Sequence, residues 1–411
     1  MHIPATPAEL FRGGSGFLTP AFRAWGSLSQ DEIVCTITEF TEFTGGSTGR
    51  KAQLTVDYSP GTRAPRELFV KFSRDLDTPE RDHGRTQMAS EVLFAHLCRV
   101  PDFPVPVPRP MFAAYDVESG TGILISERIS YGHNGIEPAY QKCADHTLPD
   151  PLAHYRAMLT AVARLAGTDR AGLLPADLVD RLRPDMRQMS VGERVAPTPQ
   201  RLSRRIATFA EFAADHPALL PANLRSPAFL TRMATELPGL HEREDAAWRE
   251  LDNPELVALC HWNANVDNAW FWREAGVLHC GLMDWGAVGR MNIAMAIWGS
   301  LCSAQTWMWD RHLDELLEMF VTEFAAAGGP LVEIDLLRRH VLLYAAVMGI
   351  TWLLDVPQHV LSQVPGLPAT TTPHDPAITA IESVRCRLQM MTNLLNLWDT
   401  HDVGGLFATL S

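Results

Sequence analysis

Positive charge is in short supply. The chain has 35 Lys and Arg against 48 Asp and Glu, a formal net charge of −13. That balance argues against nucleic acid or an anionic membrane surface as a partner and favours neutral or cationic ligands. The seven cysteines form no Cys-x-x-Cys pair, so free buried thiols in a reducing compartment, the cytoplasm, are expected. Long apolar runs are missing too. The longest, Val341 to Leu354, is too short to cross a bilayer and predicts a buried helix. The opening stretch "MHIPATPAELFRGGSG" has no basic start followed by an apolar run, so neither a signal peptide nor membrane insertion is expected. There is no internal repeat. What remains is a globular composition, 46% hydrophobic and 20% charged, over 411 residues, enough for two lobes or more.

The first 130 or so residues are strand-rich with helix between. "EIVCTITEF" and "KAQLTVDYS" alternate apolar and polar residues around "TGGSTGR", which predicts a hairpin with a glycine-rich tip. "ELFVKFS" is a short apolar strand with one lysine, Lys71. "TQMASEVLFAHLCR" has helical spacing, "PDFPVPVPRP" predicts a stiff extended connector, and "TGILISERI" another strand. From Pro151 helices dominate, the first expected to stop at Gly167. Two short strand-like runs, "LVALCHW" and "AWFW", flank a loop, and "VLHCGLMDWG" follows. Helices are then predicted over Trp298–Trp309, Asp310–Ala327, Glu333–Leu354 and Asp375–Thr400, with "PGLPATTTPHDP" as a loop.

Phosphoryl transfer from a nucleotide needs a cover over the phosphates, a cation on them, a metal held by oxygen ligands and a group that orients the acceptor. The cover would be the tip Gly45 to Gly49, with Gly46, Ser47 and Gly49 bringing backbone N–H groups close to phosphate. The cation would be Lys71, which inside an apolar strand must find an anion or a solvated edge. Glu91, on the next helix, could hold that lysine. Asn268 and Asp284, each ending a strand, offer the hard oxygens Mg²⁺ prefers. His261 and Asn263 stand in the loop between. A histidine at such a place more often braces a loop than acts as a base.

"CHWNANVDN" followed by "GLMDWG" resembles the catalytic and metal-binding segments of the aminoglycoside phosphotransferase and choline-kinase-like family, where the pattern is His-Gly-Asp-x-x-x-x-Asn and then an apolar strand ending Asp-Trp. His261, Asn268 and Asp284 match that pattern in order. Lys71, Glu91 and "LISERI" fall where the family has its phosphate lysine, helix glutamate and hinge strand. The resemblance runs from about Ile33 to Gly299. It implies an α+β, two-lobed protein-kinase-like fold, with an N-lobe over residues 1–130 and a helical C-lobe over 131–411. It also implies ATP (or GTP) and Mg²⁺ as cofactors, with adenine held by backbone near Glu127 to Ile129.

Three departures matter. Trp262 replaces a glycine, Asn263 replaces the aspartate that would accept the acceptor's proton, and the region "GRMNIAMAIWG" lacks an acid the family often carries. General base catalysis is typically worth about 10²–10⁴ in rate, but a loose transition state leans more on positioning and electrostatics. The expectation is a phosphotransferase for a small-molecule hydroxyl, with Asn263 orienting an acceptor that the sequence does not identify. Asp267 is an alternative base. A silent nucleotide-binding module and a nucleotidyl transferase are the other readings.

Three further features read more simply as structure. Cys143 and His146 have half a zinc spacing and no second pair. The acid-rich stretch from Glu236 to Glu255 predicts a solvated helix face. Trp298, Trp307 and Trp309 predict helix-core packing.

Overall fold

The computed structural model describes residues 2–43, 49–182, 186–187 and 197–410. The chain divides into two compact units. The first comprises Met1–Ala139, Gly172–Leu182 and Asn268–Gly289, the second Tyr140–Ala171, Arg183–Asp267 and Arg290–Ser411. The division is therefore not one cut near residue 130: the segment that carries Asn268 and Asp284 packs with the strand-rich unit. Its ties are specific. Leu282 N–H donates to the Pro106 carbonyl at 3.0 Å, and the Tyr131 hydroxyl donates to the Ala269 carbonyl at 3.1 Å.

The first unit is built on five antiparallel strands, β1 (Val34–Phe43), β2 (Lys51–Tyr58), β3 (Glu67–Phe72), β4 (Pro110–Tyr115) and β5 (Gly122–Glu127). They lie in the order β1-β2-β3-β5-β4. In β2 the alternation is complete, with Ala52, Leu54, Val56 and Tyr58 buried and their neighbours partly exposed. A helix, Pro7–Trp25, precedes the sheet and is not foreshadowed by the strand-rich reading of this region. It starts on a Thr6 cap and a proline in its first turn and ends at Gly26, whose φ of 83° closes the last turn. Its Leu18, Ala21 and Phe22 sit in one core with Val70, Phe112 and Ile125 of the sheet. The proline connector has no regular structure until Pro110, where β4 begins.

The second unit is mainly helical, and four predicted boundaries move. Helix Pro151–Arg170 runs through Gly167. That glycine is a contact point, since an added Cβ would lie 2.4 Å from the Phe324 carbonyl oxygen. The predicted helix across Trp298–Trp309 is two helices, Ile293–Leu301 and Thr306–Ala326. The break is fixed by Asn393, whose amide donates to the Cys302 and Ala304 carbonyls at 2.9 and 2.7 Å, bonds that a continuous helix would have kept for itself. The last predicted helix splits into Pro376–Thr379 and Glu382–Thr400. Val341–Leu354 lies mostly in helix Ile334–Trp352, which is buried along its C-terminal half. Among the described residues no single helix is long and apolar enough to cross a membrane; one pair bent by 47°, Ile334–Trp352 with Val356–Gln363, passes by length and composition. Trp298 and Trp309 pack ring against ring in the core, centroids 5.4 Å apart.

Candidate active site

A cavity of about 890 Å³ opens in the first unit. Lys71, Glu91, Glu127, Ile129, Asn268 and Asp284 all line it, six of the residues singled out from the sequence. Gly49 does not. It sits where β2 begins, at φ 57°, and an added Cβ would lie 1.7 Å from the Phe72 carbonyl oxygen, so only glycine fits. Gly46 and Ser47 lie outside the described residues. His261 and Asn263 belong to the second unit.

Lys71 is the centre of the cavity's charge. It points from β3 between two carboxylates, with its Nζ 2.7 Å from Glu91 and 2.7 Å from Asp284. Burial alone would lower its pKa, but the two carboxylates outweigh that and raise it, so the ammonium stays charged. Glu91 is almost wholly buried while the Asp284 side chain is 43% exposed. The glutamate therefore fixes the lysine, and the aspartate faces the cavity. Register explains why Asp284 and Asn268 come together. Strands Ala269–Glu274 and Val277–Leu282 pair antiparallel, Ala269 opposite Leu282, so the residues just outside that pair share one end of the hairpin. Met283 N–H donates to the Asn268 carbonyl at 2.9 Å and completes the ladder. Asp284 itself is at φ 60°, a left-handed turn. Trp285 pins that turn: its ring stacks on Phe94 at 3.8 Å, one helical turn beyond Glu91, and its indole N–H donates to Leu282. The hard oxygens of Asn268 and Asp284 on one cavity wall fit Mg²⁺, which takes few protein ligands and shares the rest with phosphates and water.

At the end of β5, Glu127 N–H donates to the Arg109 carbonyl and Arg128 N–H to the Glu67 carbonyl. Ile129 N–H makes no hydrogen bond among the described residues and lies on the cavity wall. Lys51 lines the same cavity and went unremarked in the sequence. It stands directly opposite Lys71 across the β2–β3 ladder. Burial and the Lys71 charge both lower its pKa. The β2–β3 register carries this signal, since cross-strand partners share a face.

In the second unit, His261 is fully buried and its Nδ1 accepts from Asn263 N–H at 3.1 Å. The Asn263 side-chain oxygen accepts from Lys142 Nζ at 3.2 Å and from the Asn265 amide at 2.7 Å. Asn265 is held in turn by the Ser303 hydroxyl at 2.8 Å. Lys142 also lies 4.0 Å from Asp267. Burial would lower the Lys142 pKa, but Asp267 together with the neighbouring Cys302, Cys143 and Cys386 raises it overall, so this lysine is a cation. Trp262 is anchored by its indole N–H on the Tyr344 hydroxyl at 2.6 Å. The Trp262 carbonyl lies against Gly299, where an added Cβ would come within 1.6 Å of it. The acids from Glu236 to Glu250 are largely spent in pairs: Glu236 with Arg232, Glu244 and Asp245 with Arg187, Glu250 with Arg339.

No protein-family model matches the chain, and no curated protein matches it. Solved structures do match. The chain is similar to an ethanolamine kinase from Plasmodium vivax, at 13% identity over 84% of this chain and 80% of that one, TM-score 0.40. It is similar to a choline kinase from Cryptosporidium parvum, at 12% identity over 95% and 98%, TM-score 0.43. It is also similar to a microcompartment-associated aminopropanol kinase, at 11% identity over 94% and 99%, TM-score 0.44.

Proposed function

We propose that the protein is a nucleotide- and Mg²⁺-dependent phosphotransferase acting on a small-molecule hydroxyl. The observation that carries this reading is Lys71 held between Glu91 and Asp284 on the wall of the 890 Å³ cavity. A buried cation with one fixed and one cavity-facing carboxylate is the charge set that phosphates and a divalent ion require. Lys71 and Lys51 would bind phosphate oxygens, Glu91 would keep Lys71 in place, and the Ile129 N–H would read the base edge. Asn268 and Asp284 would hold Mg²⁺, which supplies charge neutralisation on the phosphates. Transfer forms an acceptor O–P bond, breaks the β–γ bridging bond and releases the hydroxyl proton. Asn263 cannot take that proton, so the chain's contribution is position and charge, with Lys142 adding a positive group beside the loop.

A second reading, nucleotide binding without transfer, is favoured by one observation: the Asn263 oxygen already receives two donors. Both readings are tested by the melting temperature with ATP or GTP, with and without Mg²⁺. Binding to the native state at a hundredfold excess over Kd stabilises by about 2.7 kcal/mol. A Mg²⁺-dependent rise that Asp284→Ala removes is expected; no rise with either nucleotide refutes both readings. Release of ADP then supports transfer, release of pyrophosphate indicates nucleotidyl transfer, and binding without turnover leaves the second reading.

A further inference from the structure

The second unit has its own cavity, of about 280 Å³, at the small end for ligand sites. Its lining is unusual for a chain of net charge −13. It includes Arg385, His146, His374, Thr306 and Gln389, and among the described residues no aspartate or glutamate. The acids near it in sequence are not part of the lining and already have hydrogen-bond partners or face solvent. Asp145 accepts from the Tyr155 hydroxyl at 2.9 Å and from Gln305 N–H at 2.9 Å. Asp375 caps Thr372 through both its backbone N–H and its hydroxyl. Glu382 is exposed one turn before Arg385.

Arg385 is the informative residue. It is half-buried and donates to two main-chain carbonyls, Lys142 at 3.1 Å and Thr379. It pairs with no carboxylate among the described residues, whereas Arg187, Arg205, Arg232, Arg290 and Arg339 of this unit do. A guanidinium kept partly out of water and without a counter-ion invites an oxyanion.

The cavity is also tied to the loop that carries Asn263. Cys143 lines it and follows Lys142, the residue that donates to Asn263. Arg385 holds the Lys142 carbonyl. Gln305 and Thr306 line it two and three residues after Ser303, the residue that holds Asn265. We propose that this cavity binds a small molecule through a carboxylate or phosphate group and that, resting on the phosphotransfer reading above, this molecule is the acceptor. The local charge thus reverses what the net charge suggested: the ligand is anionic, not an amine.

The test is calorimetric titration of the full chain with glycerol 3-phosphate, glycerate and inorganic phosphate, against choline and ethanolamine. At least one oxyanion is expected to bind and neither cation. Glycerol 3-phosphate and glycerate separate phosphate from carboxylate recognition. Arg385→Gln should weaken binding about tenfold, about 1.4 kcal/mol, while Arg385→Lys should retain most of it. His374→Glu, at an exposed position, places a negative charge at the cavity without disturbing the core and should also weaken it several-fold. Binding of choline or ethanolamine in preference to every oxyanion, or oxyanion binding indifferent to Arg385→Gln and His374→Glu, would overturn the proposal. Asp284→Ala separates the two readings, because it should abolish the Mg²⁺-nucleotide shift and leave oxyanion binding as it was. Oxyanion binding that depends on Arg385, in a protein that shows no nucleotide shift at all, would refute phosphotransfer while upholding the oxyanion site. Turnover of nucleotide that never labels a bound oxyanion ligand would refute the acceptor role.

Discussion

The cavities of the two units solve opposite electrostatic problems. In the first unit a cation is buried, and two carboxylates are spent on keeping it there. In the second unit a cation is half-buried and no carboxylate is spent on it. A lysine matched in advance is a structural element that a ligand must partly displace. An arginine left unmatched is a vacancy for charge that a ligand completes. The difference teaches that net charge says little about which ions a protein binds, because the lining of each cavity, not the sum over the chain, sets the local charge.

The largest expected effect comes from breaking the first arrangement. Lys71→Met leaves Glu91 buried without its partner, and removing one partner of such a pair costs on the order of 3 kcal/mol or more. Urea titration should show that loss, and the nucleotide-dependent rise in melting temperature should vanish. Next is Asn263→Asp. Both donors that now meet the amide oxygen, Lys142 and Asn265, would accept a carboxylate in its place. Under the phosphotransfer reading, ADP release should rise by about a hundredfold, the low end of the typical range of about 10²–10⁴ for a general base. Unchanged turnover with nucleotide binding intact would mean that the loop does not limit the rate.

Lys51→Gln sharpens the comparison from the other side. It removes the second cation facing Lys71. Nucleotide affinity should fall about tenfold if Lys51 binds phosphate, measured by titration at fixed Mg²⁺. The smallest effect is one of pH. In the second unit both hydrogens of the Asn292 amide are used, one on the Leu251 carbonyl at 2.8 Å and one toward His340 Nδ1 at 2.9 Å. His340 Nδ1 must therefore accept, the ring is neutral, and burial lowers its pKa. The unfolded chain binds that proton first, near its ordinary value of about 6.5. Stability should accordingly be complete above that pH and decline as pH falls below it, until the folded protein's own histidine titrates. His340→Gln should flatten that part of the stability profile in denaturant titrations between pH 7 and 5.

The first site was largely legible in the sequence because its parts sit at the ends of strands. Lys71 is a charge inside an apolar run, Asp284 ends another, and each is conspicuous against its neighbours. Asn268 is reached by counting from His261. Lys51 escaped because it starts a strand, where a lysine is ordinary, and only the register with Lys71 gives it meaning. Of the second cavity only Cys143 and His146 stand out in the sequence, and as half a zinc spacing. Arg385, Thr306 and His146 come from segments far apart, and helical periodicity says which face is buried but not what that face meets. The break between Leu301 and Thr306 was missed for a related reason: it is made by Asn393, which lies roughly ninety residues away.

Gly299 carries a consequence for heredity. Every single-nucleotide missense change of a glycine codon installs a Cβ, and here the nearest atom is the Trp262 carbonyl oxygen, 1.6 Å from where that Cβ would lie. No variant at this codon can arise without shifting the loop that bears Asn263. A lineage drifting through such variants would reshape that loop by way of a helix residue. A saturation library would reveal it as a position where every substitution falls together.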